Sequence, residues 1–141
     1  MRRLLKRVAT TALVAATLET SAAVIRSHSF HLLPVAIFAI IEFLFFFLVV
    51  NIAALVSTRV ISVAPWVQKT VFFVVTVTPS LLSYFSFYRG VSYYEQGGSL
   101  LVSDNRMTIA GAESLALSIC ISAVVALIAT TIYFRAVREV S

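Results

Sequence analysis

The sequence predicts an all-α polytopic integral membrane protein with three strong transmembrane helices and a fourth, weaker helix near the N-terminus. Of its 141 residues, 60 % are hydrophobic and only 12 % are charged, whereas soluble domains average about 45–50 % and 25 %. The mean hydropathy is +1.00, and the apolar residues are concentrated in runs that match a bilayer-spanning helix of about 20 residues. A soluble domain of this length cannot bury so much apolar surface. An ordinary soluble fold and a disordered chain are therefore excluded.

Three apolar runs are long enough to span a membrane, and each contains at most one acidic residue. They cover residues 32–57, 70–88 and 108–134. The fourth run, residues 8–25, consists largely of alanine, threonine and serine and contains Glu19. Small and polar residues favour contact between helices, so we expect this run to face protein rather than lipid. Together the four runs predict a single membrane domain over residues 1–141.

The longest polar segment is the loop over residues 89–107. The Gly97-Gly98 pair marks a turn. On either side of it, residues 91–96 and 99–103 alternate weakly between apolar and polar side chains. This pattern predicts a short β-hairpin between the third and fourth helices.

The basic residues predict the orientation, because lysine and arginine are retained on the cytoplasmic or matrix side of a membrane. The net charge is +5, and the basic residues lie at the ends of the apolar runs. With four spans, eight lysines and arginines fall on one side and three on the other. Both termini are predicted on the positive side. With three spans the termini would lie on opposite sides, and the asymmetry would be weaker.

The N-terminal segment has a second interpretation. Residues 1–30 are rich in arginine, alanine, serine and threonine and poor in acidic residues, which is also the composition of a mitochondrial transit peptide. We expect a retained helix, with a cleaved or surface-lying segment as the alternative. The composition indicates a mitochondrial inner membrane or a bacterial inner membrane as the location.

Glu42 is the first candidate for an intramembrane polar site. It lies ten residues after Leu32, about 15 Å along a helix and close to the middle of a hydrocarbon core. An isolated charge at that depth is costly, so the carboxyl should be neutral, hydrogen-bonded or paired. Because no cation lies at matching depth in any run, we expect a neutral carboxyl. The alternative is a working proton or cation site.

Asn51 is the second candidate for an intramembrane polar residue. It follows Glu42 by nine residues, and nine steps of 100° place it on the opposite face of a helix. The two side chains therefore cannot form one compact site. We expect Asn51 to make a hydrogen bond to another helix near the end of the span.

A row of small residues in the last run is a candidate for helix packing. Small side chains recur there every four residues, at Ser114, Ser118, Ser122 and Ala126. Such spacing allows two helix backbones to approach closely. We expect a packing surface that meets a neighbouring helix rather than a polar pathway.

Sites for catalysis, metals or cofactors are not predicted. The chain has one cysteine, Cys120, and two histidines, His28 and His31. It contains no phosphate-binding loop, zinc-protease motif or nucleophile elbow. We therefore expect no enzyme activity, no cofactor, no nucleic acid and no soluble substrate.

Two classes of function remain. The first is a structural or accessory subunit of a larger membrane complex, with other membrane subunits and lipids as partners. The transit-peptide composition favours an inner-membrane respiratory or ATP-synthase assembly. The second is a small oligomeric channel or transporter for protons or other ions that uses Glu42. The first is favoured, since a bundle of four spans leaves little room for an aqueous pathway inside a single chain.

Overall fold

The computed structural model describes residues 2–27, 32–59, 64–96 and 98–138. Four α-helices account for most of this part of the chain: α1 (Arg2–Ser27), α2 (Leu32–Arg59), α3 (Pro65–Arg89) and α4 (Ile109–Arg138). Three short strands lie between α3 and α4: β1 (Tyr94–Gln96), β2 (Ser99–Ser103) and β3 (Arg106–Met107). The all-α polytopic architecture is confirmed. His28 and His31 lie outside the described residues.

Three of these helices are long and apolar enough to cross a membrane. Among the described residues, the candidate spans are Leu4–Arg26 in α1, Pro34–Thr58 in α2 and Ile109–Arg135 in α4. The N-terminal run is therefore long and apolar enough to be a span, as the predicted fourth helix requires. In α3, the run over residues 70–88 contains no charged residue, and Gln68 and Lys69 precede it.

The four helices form an up-down-up-down bundle. Each of α1 and α3 packs against both α2 and α4, so the chain closes on itself with α4 beside α1. At one end, Val8, Val50 and Phe72 pack with Tyr133, whose ring stacks on Phe72 with centroids 4.6 Å apart. This layer joins the beginning of α1 to the end of α4, and we call this side of the bundle the terminal end. The beginning of α1 and the end of α4 therefore lie at the same end of the bundle.

The central layer of the bundle is rich in small side chains, and its outer surface carries large apolar side chains. Its central layer contains Ala12, Ala16 and Ala129 packed around Phe46. On the outer surface, Ile40, Leu44 and Leu48 of α2 are more than half exposed. Close backbone approach inside and a continuous apolar exterior are typical of helix packing in lipid.

The strands form an antiparallel sheet in the order β1-β2-β3. The predicted hairpin is confirmed by the pairing of β1 with β2. The third strand was not predicted. It follows a two-residue turn in which Asp104 and Asn105 both have positive φ angles, 50° and 61°, as a type I′ hairpin turn requires. Asp and Asn tolerate this conformation better than other non-glycine residues.

Thr108 and Gly111 attach the sheet to the beginning of α4. The Thr108 hydroxyl accepts a 3.0 Å hydrogen bond from the Gly111 N–H, which caps the helix. The same hydroxyl donates to the Leu100 carbonyl at 2.6 Å. A Cβ on Gly111 would lie 2.0 Å from the Leu101 carbonyl oxygen, so only glycine allows this approach. We call this side of the bundle the sheet end.

Candidate intramembrane polar site

The strongest polar contact between helices joins α1 to α4. The Ser122 hydroxyl donates a 2.9 Å hydrogen bond to Glu19 Oε1. Both residues are buried, with Glu19 8 % exposed and Ser122 2 % exposed. A carboxyl and a hydroxyl from different helices thus meet inside the bundle, which makes this point the centre of the candidate site.

The other two helices contribute Glu42 and Tyr84. Tyr84 in α3 lies within electrostatic range of both carboxyls. Glu42 in α2 lies within electrostatic range of Glu19. We call these four residues, Glu19, Glu42, Tyr84 and Ser122, the polar cluster. Each helix of the bundle supplies one member.

The antiparallel run of α1 and α2 places the two carboxyls at similar depth. Glu19 lies eight residues before the end of α1, and Glu42 lies ten residues after the beginning of α2. At 1.5 Å per residue these positions are roughly 12 and 15 Å from the connection between the helices. The cluster consequently lies in the half of the bundle nearer the sheet end.

The charges around the cluster are unbalanced. Arg26, seven residues after Glu19 in the same helix, is the cation within electrostatic range of Glu19 and Tyr84. Two negative carboxylates inside a bilayer are costly, and one arginine seven residues away offsets only part of that cost. The cluster is therefore suited to hold a proton on one of its carboxyl groups.

The row of small residues in α4 faces the interior of this chain. Ser118, Ser122 and Ala126 are each no more than 2 % exposed, and Ser122 contacts α1. The Ser118 hydroxyl donates to the Ser114 carbonyl at 2.9 Å. Whether these residues govern assembly stays a prediction, but the helix that Ser122 meets is α1 of the same chain.

A polar cavity of about 320 Å³ lies at the sheet end of this row. Ser114 lines it, together with Arg26 and Glu113 from the helices and Gln96 and Ser99 from the sheet. Ser114, Ser118 and Ser122 therefore follow one face of α4 from this cavity to the polar cluster.

Asn51 lies apart from the polar cluster. Its side-chain amide donates a 2.7 Å hydrogen bond to the Phe47 carbonyl in the same helix. The expectation of a hydrogen bond to another helix is wrong, because a short polar side chain reaches the carbonyl four residues back without crossing the interface. Glu42 alone of the two predicted polar candidates belongs to the cluster.

Glu19 and Tyr84 are the members that sequence reasoning did not assign to a site. The sequence did offer a signal for Glu19. Glu19 and Glu42 lie at similar distances from the connection between α1 and α2, so antiparallel packing of these helices brings them to a similar depth. Among the described residues, no group of three histidine, cysteine, aspartate or glutamate side chains is arranged to hold a metal ion. No family model, curated protein or solved structure matches this chain, so the functional argument rests on the geometry of the bundle.

Proposed function

We propose that this protein is a small membrane transporter or channel that moves protons, and that Glu19 and Glu42 together form its proton-binding site. One observation carries the proposal: the buried Glu19 carboxyl accepts a hydrogen bond from Ser122, and Glu42 lies at a similar depth on α2, the helix packed beside α1. Ionisable residues inside membrane bundles commonly mark ion pathways and proton relays. Ser122 and Tyr84 supply hydroxyls that donate to a carboxylate and accept from a protonated carboxyl.

The surroundings of the cluster support entry from the sheet end. The polar cavity opens there, and Ser114, Ser118 and Ser122 are spaced about 6 Å apart along α4, a distance that one water molecule bridges. Toward the terminal end the cluster is followed by the layers of Ala12 and Phe46 and then of Phe72. Buried hydroxyls lie among these layers, at Thr11, Thr76 and Thr130, and those of Thr76 and Thr130 donate to carbonyls of their own helices. Passage of a proton to the terminal end therefore requires these helices to separate.

A flux measurement on the purified, reconstituted protein tests the proposal. Vesicles containing a trapped pH-sensitive dye report proton entry after an external acid step. We expect Glu42→Gln and Glu19→Gln to reduce the rate to that of empty vesicles, because glutamine keeps the size and hydrogen bonding of the side chain but cannot release a proton. The matched control is Glu95→Gln, which removes an exposed carboxyl from β1 and should leave the flux unchanged.

Two outcomes would contradict proton movement. Wild-type flux in both glutamine variants, with normal helix content by circular dichroism, would show that the carboxyls are structural. Flux that follows a sodium gradient instead of the pH step would show that the transported species is a metal cation.

A structural or accessory subunit of a larger membrane complex is the second candidate. It is favoured by an apolar groove of about 270 Å³ on the outer surface between α1 and α4, lined by Leu18, Cys120, Val124 and Ile128 among others. Such a groove accepts the apolar side chains of a neighbouring helix. In this case Glu42→Gln behaves like the wild type, and native mass spectrometry after gentle solubilisation from the source membrane gives a large hetero-complex.

A further inference from the structure

A second cavity, of about 400 Å³, lies between α3 and α4 at the terminal end of the bundle. Lys69 of α3 and Arg135 of α4 both line it. We infer that this cavity binds an anionic phospholipid, with the phosphate held between Lys69 and Arg135 and the first part of an acyl chain lying against the apolar side chains below them.

The cavity changes from charged to apolar along the membrane normal. On α4 its lining runs from Arg135 through Thr131 to Leu127, one helical turn at a time. On α3 it runs in the same direction from Lys69 to Phe73. This order of charge, hydroxyl and hydrocarbon follows the order of headgroup, ester and acyl chain in a phospholipid.

The position of the cavity agrees with a headgroup site. Arg135 is the last residue of the candidate span in α4, and Lys69 lies four residues after the beginning of α3. Trp66, which is 69 % exposed, lies in the same turn as Lys69, and tryptophan favours the membrane interface. The charged part of the cavity is therefore at the level of the lipid phosphates.

The electrostatics favour an anion. No acidic side chain is among the described residues that line the cavity. The hydroxyls that line the cavity, those of Thr70, Thr130 and Thr131, each donate to a carbonyl of their own helix. Lys69 and Arg135 are therefore the charged donors for a bound phosphate. The distribution of lysines and arginines between the loops predicts that the terminal end lies on the positive side of the membrane. Basic pockets between helices on that side attract anionic lipids. A soluble anion would gain nothing from the apolar half of the cavity.

The single tryptophan provides a direct test. The full-length protein is reconstituted in phosphatidylcholine vesicles that contain a minor fraction of brominated lipid, either brominated phosphatidylglycerol or brominated phosphatidylcholine. Bromine quenches the fluorescence of Trp66 on contact. We expect the anionic lipid to quench more strongly at equal fraction, and the Lys69→Gln/Arg135→Gln double variant to lose this preference. Each basic residue near a lipid surface contributes about fivefold in affinity.

The matched control is the Arg89→Gln/Arg106→Gln double variant, which removes the same charge at the sheet end and should keep the preference. Equal quenching by the two lipids in the wild type would overturn the inference. So would an unchanged preference in the Lys69→Gln/Arg135→Gln variant, or a preference lost equally in the control, which would indicate an effect of overall charge. Loss of the preference on adding excess inorganic phosphate would show that the site takes a soluble anion.

Discussion

The hydroxyl of Ser122 in α4 lies 2.9 Å from Oε1 of Glu19 in α1, and this hydrogen bond joins residues separated by 103 positions. It closes the bundle between its first and last helices. It also gives a partner to a carboxyl that the bundle surrounds. The stability of the bundle and the state of the candidate proton site therefore depend on the same contact.

Removing this hydroxyl should destabilise the bundle. We expect Ser122→Ala to lower the free energy of unfolding by about 0.6–2 kcal/mol, the range for hydrogen bonds between membrane helices, because the Glu19 carboxyl loses its donor. Chemical unfolding in detergent, followed by circular dichroism, measures the change. The control is Thr78→Ala, which removes an exposed hydroxyl bonded to its own helix. An unfolding curve for Ser122→Ala that overlays the wild type would exclude a stabilising role for the contact.

A bulky residue at Ser118 should separate the helices. Ser118 is 1 % exposed, and inserting a leucine there overpacks the interior, at a cost of about 1–3 kcal/mol. Thermal stability of the purified protein alone should fall. Ala116→Leu adds the same bulk to an exposed position on the same helix and should have little effect. If Ser118→Leu were as stable as Ala116→Leu, the row would not be a tight internal contact.

The sheet should depend on Gly111. A methyl group there would overlap the Leu101 carbonyl, 2.0 Å away, so we expect Gly111→Ala to release β2 from α4. Faster amide hydrogen exchange in β2 would show this release. Gly98→Ala provides the comparison, because its Cβ meets no atom within 4 Å and its positive φ costs only about 1 kcal/mol. Equal exchange in the two variants would contradict the proposed close contact.

The two termini should be labelled from the same side of the membrane. Cysteines introduced at Arg3, Glu95 and Glu139 in a Cys120→Ala background can be tested with an impermeant maleimide on sealed vesicles of one orientation. We expect positions 3 and 139 to react together and position 95 to react from the other side. Labelling of 3 and 139 from opposite sides would favour three spans with a surface-lying or cleaved N-terminal segment.

The pH dependence of the sheet should involve Tyr93. Its hydroxyl donates a 2.9 Å hydrogen bond to Glu95, and this bond, together with the negative charge of Glu95, raises the pKa of Tyr93. The hydrogen bond is therefore complete at neutral pH. It is lost as the pH rises through the pKa of Tyr93 in the folded protein. A difference titration of phenolate absorbance between the wild type and Tyr93→Phe isolates this group. Glu95→Gln should lower its pKa, and an unchanged titration would contradict the contact.

The sequence by itself determined the helical membrane architecture and the β1-β2 hairpin. Both follow from local properties, since the length and hydropathy of a run indicate whether it can cross a bilayer and a turn signal marks a hairpin. The N-terminal helix was predicted from the same local properties, and α1 is long and apolar enough to span.

The tertiary structure alone decided which polar residues meet. Glu42 and Asn51 were both visible as polar residues in one span, yet only Glu42 lies near a second carboxyl. That outcome depends on the rotation of each helix about its own axis and on the register of the four antiparallel helices. Neither can be read from the sequence of a single helix. For the same reason the small residues of α4 predicted a close helix contact, while only the packed bundle shows that Ser122 meets Glu19 of its own chain.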